Sequence, residues 1–362
     1  MRPALRGVIL SGGKGTRLRP ITHTGAKQLV PVANRPVLFY AIDALVGAGI
    51  EDIAVVVGDT AAEVMAAAGD GSAMGARLSY LRQEQPLGLA HAVACAREWL
   101  GDFPFVVFLG DNLLRDGIAP LVQRFRVSEC DAMILLARVR DPQRFGVAEL
   151  SEGRVTRLVE KPAVPGSDLA LVGVYLFQPV IHEAIQRIRP SARGELEITD
   201  ALQRMIDDGR NVEPHVIEGW WATGWKDTGN LEDMLEANRI VLEGLVPRID
   251  GRVAEDCNLS GRVVVEAEAR LRGCTVRGPA IIGHRAVLED VYVGPFTSIG
   301  DGCVLRRAEI DHSIVLEGAH LEDTPGRLTS SLIGRGCVVT GTTRRPHAIK
   351  LLIGDDSMVE LS

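Results

Sequence analysis

Residues 7–20 read Gly7-Val-Ile-Leu-Ser-Gly-Gly-Lys-Gly-Thr-Arg-Leu-Arg-Pro20. A short apolar strand ending at Leu10 runs straight into three glycines within four positions, Gly12, Gly13 and Gly15. Glycine lets a backbone approach a ligand closely and take up positive φ, so successive amides can converge on phosphate oxygens. Thr16 and Arg17 follow at once, and Lys27-Gln28 comes seven residues after Pro20, adding a second cation. Two familiar phosphate loops are excluded. A Walker A loop needs Ser or Thr after its lysine, but Gly15 follows Lys14, and the dinucleotide spacing G-x-G-x-x-G would need glycine where Leu18 stands.

Working outward, the first 240 residues alternate apolar β-branched runs (7–10, 52–58, 105–110, 132–139 and 170–177) with helix-period segments such as 37–49 and 88–100. Near-continuous apolar strands separated by helices predict an α/β fold whose parallel or mixed sheet is covered on both faces. Ligands of such sheets bind beyond the carboxyl ends of the strands.

After about residue 245 the texture changes. Only Tyr292 and Phe296 of the 16 aromatic residues lie beyond Val246. Apolar anchors recur at Ile282, Leu288, Val293, Ile299, Leu305, Ile310 and Leu316, and again at Ile333, with small residues four positions on at Ala286, Thr297, Cys303 and Cys337. This hexad predicts a parallel β-helix, each face of the coil stacking one aliphatic side chain inward. Segment 322–331 breaks the period and is expected to loop out. The chain therefore divides into a domain over 1–240 and a β-helix over 246–362.

Composition narrows the partners. The formal charge is −7 and no long Lys/Arg run occurs, so neither nucleic acid nor a membrane surface is expected as partner. No uninterrupted apolar stretch reaches eighteen residues, and the apolar run near the N-terminus is only three long, so a cytoplasmic protein is expected. Six scattered cysteines without a C-x-x-C pair predict reduced thiols rather than zinc or redox chemistry. Of 40 basic side chains only five are lysine: Lys14, Lys27, Lys161, Lys226 and Lys350. Where arginine serves almost everywhere, each remaining lysine marks a place where a planar guanidinium does not substitute for a compact ammonium, and four of the five fall in the motifs below.

Those motifs are GGKGTRLRP (12–20), AKQLVPVANRP (26–36), QEQPLGLAHAV (83–93), FLGDN (108–112), DPQRFGVAEL (141–150), VEKP (159–162), LALVGVY (169–175), RGELEITDA (193–201) and GWWATGWKDTGN (219–230). In this order they resemble the sugar-phosphate nucleotidyltransferases, and in particular the long-form glucose-1-phosphate thymidylyltransferases. The resemblance spans nearly the whole chain. It implies a Rossmann-like nucleotidyltransferase domain with a mixed sheet, then a left-handed parallel β-helix.

The implied reaction is attack of a sugar-1-phosphate oxygen of glucose 1-phosphate on the α-phosphorus of dTTP, giving dTDP-glucose and pyrophosphate for deoxysugar synthesis. Two anions must meet, so the task is positioning and charge neutralisation, and a phosphate dianion needs no general base. The resemblance gives Arg17, Lys27 and Lys161 the catalytic charges, and Asp111 with Asp227 a Mg²⁺ ion. Leu10, Gly12, Gly13, Gly15, Thr16, Gln28, Gln83, Pro86, Gly88 and Asp111 are its expected nucleotide contacts. Asn112, Gly146, Glu160, Lys161, Val172, Gly173, Tyr175, Arg193 and Trp225 are its expected sugar-phosphate contacts. The Gln83 amide can donate and accept, as a pyrimidine's edge requires, but uracil shows the same edge as thymine. Phe145 stands where short-form relatives usually carry tyrosine.

Alternatives stay open. The same site would serve a uridylyltransferase or another nucleotidyltransferase, and a non-catalytic sensor or scaffold would keep only the fold. The β-helix is expected to form a homo-oligomer and brace the first domain; an acyltransferase role would need a histidine such as His284, His312 or His320. Of the eight histidines, only His91 lies in a site motif, where a structural role is expected.

Overall fold

The computed structural model describes residues 4–13, 15–23, 25–217, 225–341 and 356–360. Lys14, Lys350, residues 219–224 of the last motif and most of the C-terminal tail lie outside them. The chain forms two compact units, one of Met1–Lys14, Ala26–Leu29 and Val37–Trp225, the other of Gly15–Gly25, Val30–Pro36 and Lys226–Ser362. This division does not follow the cut at 240–246: residues 226–240 and two segments of the N-terminal loop go with the second unit.

In the first unit nine strands form one mixed sheet. They are β1 (Arg6–Ser11), β2 (Asp52–Val57), β3 (Arg77–Arg82), β4 (Phe105–Leu109), β5 (Ala132–Arg138), β6 (Gly146–Ser151), β7 (Arg154–Glu160), β8 (Leu169–Phe177) and β9 (Val212–Ile217). The order is β7-β6-β8-β4-β1-β2-β3, with β5 pairing both β8 and β9. Strands β4, β1, β2 and β3 run parallel, and β8 is antiparallel to β4, β5 and β6. The register sets Val8 beside Ala54 and Val107, so the central strands are level.

Alternation along each strand feeds two cores. Ile9, Val55 and Phe108 belong to one, with α1 (Val37–Gly47), α2 (Ala61–Ala68) and α5 (Ala119–Val127) supplying Leu38, Val64 and Phe125. Val8, Val56 and Val107 belong to the other, with α3 (Leu89–Cys95), α4 (Arg97–Leu100), α6 (Ile181–Ile185) and α7 (Ile198–Asp207) supplying Val93, Leu100, Ile181 and Leu202. Strands buried on both faces have no room for polar alternation, which is why they read as continuous apolar runs.

The second unit carries α8 (Leu231–Glu243) and a parallel β-helix of the left-handed class, as expected. Asn230 caps α8 by accepting from the Asp233 amide at 2.8 Å. Three parallel sheets of six, six and five short strands form the coil faces. Stacked ladders fill it: Leu271-Leu288-Leu305-Leu321 on one face, Val276-Val293-Ile310 on the next, Val265-Ile282-Ile299-Val315 on the third. The last anchor needs correction by one residue. Val315, not Leu316, pairs with Ile299 and joins the coil core, because this coil is one residue shorter than its predecessor. Segment 322–331 does not loop out of the coil. It lengthens one corner, and Arg327–Thr329 then rejoins its sheet opposite Glu309–Asp311.

Residues 30–36 are tied to the β-helix through one buried amide. Asn238 of α8 accepts from the Ala33 amide (2.8 Å) and the Ser298 hydroxyl (2.6 Å), and donates to the Phe296 carbonyl (3.0 Å). Asn34 adds a bond to the Ile299 carbonyl at 2.7 Å. The cysteines are all free thiols, with Cys130, Cys274 and Cys303 buried and Cys337 exposed. Among the described residues no helix is long and apolar enough to cross a membrane.

Candidate active site

The carboxyl edge of the first unit's sheet gathers most of the residues singled out in the sequence. At the end of β1, Ser11 is fully buried and the chain passes into Gly12 and Gly13. The Gly110 amide donates to the Leu10 carbonyl at 2.9 Å, so the ends of β1 and β4 are joined where both open into loops. A side chain on Gly12 would meet the Gln83 Oε1 at 3.1 Å; at Gly13 the nearest atom would be Gln28 Nε2 at 3.7 Å.

Lys27 and Gln28 sit on a single 3₁₀ turn, Lys27–Leu29, and both are buried. That turn is held to α2 by the Ala26 amide, which donates to the Glu63 carboxylate at 2.8 Å. Lys27 Nζ lies 2.5 Å from Asp111 Oδ2, just past the end of β4. Asn112 donates to the other Asp111 oxygen at 2.9 Å and accepts from the Trp225 indole at 2.6 Å. Phe145 meets the Trp225 ring edge-on, centroids 5.7 Å apart. Burial pushes the Asp111 carboxyl up, but the Lys27 ammonium and the Asn112 amide outweigh it and hold the group below the usual carboxylate range. It is therefore a standing anion at a strand end.

A second group surrounds Glu160 at the end of β7. Its oxygens accept from Arg193 and from the Thr199 hydroxyl, each at 3.2 Å, and Lys161 Nζ stands 3.8 Å away. Lys161 adopts φ 41°, a left-handed conformation for a residue with a side chain, with its amide bonded to the Phe145 carbonyl at 3.0 Å. Burial, with Glu197 nearby, raises the Glu160 carboxyl above its ordinary value against the pull of Lys161 and Arg193. Arg193 also contacts Glu197 (2.8 Å) and Glu195 (3.5 Å), so three carboxylates already match its charge. Lys161 is the more exposed of the two cations. Glycine is required beside both groups: a Cβ on Gly146 would come within 2.6 Å of the Thr199 methyl, and one on Gly173 within 2.9 Å of Asn112 Cγ. Leu10, Val172 and Tyr175 are core residues here, all nearly fully buried.

Gln83, Gly88 and His91 form a third group at the start of α3. Gly88 has φ 105°, and a Cβ there would strike the Leu196 carbonyl oxygen at 2.5 Å. Pro86 lies exposed in the loop before it. In the second unit, Gly15 takes a left-handed φ of 64° and opens the 3₁₀ turn Thr16–Leu18, while Thr22 donates to its carbonyl at 2.6 Å. Arg17 and Asp227 approach one another around Gly229, where a Cβ would lie 3.0 Å from Arg17 Nη2 and 3.2 Å from Asp227 Oδ2.

Sequence reasoning missed Glu197, Thr199, Ser191 and Glu63. Ser191 donates to Glu197 at 2.7 Å, and Glu197 is itself 2% exposed. Glu197 and Thr199 lie inside the motif at 193–201, and that membership was the available signal. The β-helix histidines are engaged locally: His284 Nδ1 with the Ala267 carbonyl at 2.7 Å, His320 with Glu322 at 3.2 Å, and His312 against the Phe296 ring.

The nucleotidyl transferase family model matches residues 6–244. Over 359 residues the chain is 53% identical to a glucose-1-phosphate thymidylyltransferase of Streptomyces griseus, covering 99% of this chain and 100% of that protein. It is 45% identical to a low-salt glycan biosynthesis nucleotidyltransferase of Haloferax volcanii, covering 99% and 100% respectively. The crystal structure of a UDP-glucose pyrophosphorylase with UDP-glucose aligns at a TM-score of 0.58 and 26% identity, covering 67% of this chain and all of that one. With its strand-end acids, lysine-bearing turn and glycine loop in place, the chain belongs to the nucleotidyl transferase family.

Proposed function

We propose that the protein transfers a thymidylyl group from dTTP to α-D-glucose 1-phosphate, releasing pyrophosphate and forming dTDP-glucose. The observation that carries this reading is the buried Lys27–Asp111 pair beside the Gly12-Gly13 turn, with Glu160 and Lys161 at the same sheet edge. The full-length identity to a thymidylyltransferase supports it. An oxyanion of the sugar phosphate attacks the α-phosphorus. The new P–O bond forms as the bond to the β-phosphate bridging oxygen breaks, and its electrons leave with pyrophosphate. Lys27 neutralises the α-phosphate, Arg17 grips the departing phosphates, Lys161 holds the sugar phosphate, and Glu160 accepts from sugar hydroxyls. Gly12, Gly13, Gln28 and Gln83 face the nucleotide; Asn112, Gly146 and Gly173 leave room for the sugar.

The donor set fits magnesium. Asp111 is a hard oxygen ligand kept ionised, and no group of three or more acids, histidines or cysteines that could hold a metal occurs among the described residues. That suits an ion which takes one or two carboxylates and fills its octahedron with phosphate and water. Asp111 and Asp227 are the proposed ligands, and the ion would neutralise charge on the phosphates. The β-helix is proposed to assemble homo-oligomers.

A uridylyl donor is the second reading, supported by the fold shared with a UDP-glucose pyrophosphorylase and by a glutamine that meets thymine and uracil alike. Stereochemistry tests the direct displacement. With a dTTP whose α-phosphorus is chiral through sulfur, a single in-line step inverts configuration; retention would mean a covalent intermediate and overturn the mechanism.

A further inference from the structure

The Gln83 amide is fixed before any nucleotide arrives. Gln83 is 8% exposed and its backbone amide is tied to the Val57 carbonyl at 2.9 Å. One side-chain terminus lies 3.2 Å from the Gly88 carbonyl oxygen. A carbonyl only accepts, so that terminus is the NH₂ group, and the amide orientation follows from chemistry rather than from choice. The same nitrogen lies 2.9 Å from His91 Nδ1. Its second hydrogen is therefore given to His91, whose Nδ1 accepts it. Both hydrogens are spent inside the protein. What remains is Oε1, which finds no donor among the described residues and points over Gly12 at the glycine turn.

The anchors are rigid. The Gly88 carbonyl also accepts from the Ala92 amide at 3.1 Å, and Leu196 clamps the segment by bonding both the Leu87 carbonyl (2.7 Å) and the Ala90 amide (3.0 Å). His91 rides on the first turn of α3 in that clamp.

We propose that His91 is a positioning residue for base selection: by consuming the second Gln83 hydrogen, it leaves the glutamine able only to accept from the base. This rests on the reading above that Gln83 meets the base. A ring N–H, as in thymine or uracil, can donate to Oε1. The ring nitrogen of cytosine carries a lone pair instead and is repelled. An acceptor-only glutamine thus excludes a base rather than merely tolerating the right one.

The test compares wild type, His91→Leu and His91→Asn in pyrophosphate release with dTTP, UTP and CTP, alongside thermal melting. His91→Leu removes the acceptor and leaves the amide on its longer bond. Its kcat/KM for dTTP is expected to fall about tenfold, carried by KM because the base is remote from the reacting phosphorus. The dTTP-to-CTP ratio should shrink by a similar factor, and His91→Asn, whose amide oxygen can accept in place of Nδ1, should restore both. An unchanged ratio in His91→Leu, or no restoration by His91→Asn, would overturn the proposal while leaving the transferase reading intact. A wild type that ignores all three triphosphates would overturn the function first. A crystal with bound dTTP gives a check that needs no variant: Gln83 must still bond His91 and meet the base through Oε1, and a base contact through Nε2 would refute it.

Discussion

Lys27 and Asp111, 84 residues apart in sequence, form a close ion pair at the carboxyl edge of the first unit's sheet, with Nζ 2.5 Å from Oδ2 and side chains 6% and 25% exposed. A pair so sheltered contributes little net stability, because desolvation offsets much of its attraction, but it holds two opposite charges side by side at the sheet edge.

Separating stability from activity follows from that pair. Lys27→Met removes the Lys27 ammonium from beside a largely buried carboxylate and should cost on the order of 2 kcal/mol, read from denaturant unfolding. Adding Asp111→Asn should recover most of that loss. Turnover should not recover: each single variant is expected to lose at least about a hundredfold, and so is the double variant.

Lys161→Ala tests the other cation. It should lower turnover by at least about a hundredfold, with a melting temperature close to wild type because the side chain is 45% exposed. A near-normal rate would mean that the sugar phosphate is held elsewhere.

Gly173→Ala tests the packing behind Asn112. The new methyl would meet Leu109 Cδ1 at 2.6 Å and Asn112 Cγ at 2.9 Å. Overpacking of this kind costs about 1–3 kcal/mol, and displacing Asn112 should raise KM for the sugar phosphate more than KM for the nucleotide.

The acid limb of stability should carry a signature from His182. Its ring stacks on Phe105, both ring nitrogens are buried without a partner, and burial, with Arg97 nearby, pushes its pKa down to about 4. Between an unfolded value near 6.5 and that folded value the unfolded chain binds the extra proton, so stability should fall as pH drops through this window and be unaffected by His182 above it. His182→Leu should flatten that part of the curve in urea titrations at stepped pH.

In the β-helix, Leu305 stacks between Leu288 and Leu321 and is fully buried. Leu305→Ala should cost about 2–5 kcal/mol, visible as a lower melting transition.

Much of this was legible in the sequence because periodicity is a direct imprint of burial. The strands at 7–10, 52–58 and 105–110 appear where apolar runs placed them, and the coil anchors from Ile282 to Ile310 all face inward. Leu316 misled because it is the larger aliphatic of an adjacent pair and is buried too, outside the coil core; which of two neighbours points inward depends on coil length, set by pairing across the stack. Glu160, Lys161 and Arg193 were visible as motif residues, but Arg193's saturation by three carboxylates was not, since spacing within a motif does not tell which charges meet in space. The Gln83–His91 contact was hidden for another reason. A side-chain bond between a strand end and a helix start leaves no periodic trace.

Thymidylyl transfer itself is tested by steady-state pyrophosphate release from the purified protein with magnesium, across dTTP, UTP, CTP, ATP and GTP and several sugar 1-phosphates. The pair dTTP with glucose 1-phosphate is expected to be the most efficient, and Asp111→Asn to lose at least about a hundredfold on it. Release from no pair, or an Asp111→Asn variant as fast as wild type, would contradict that reading.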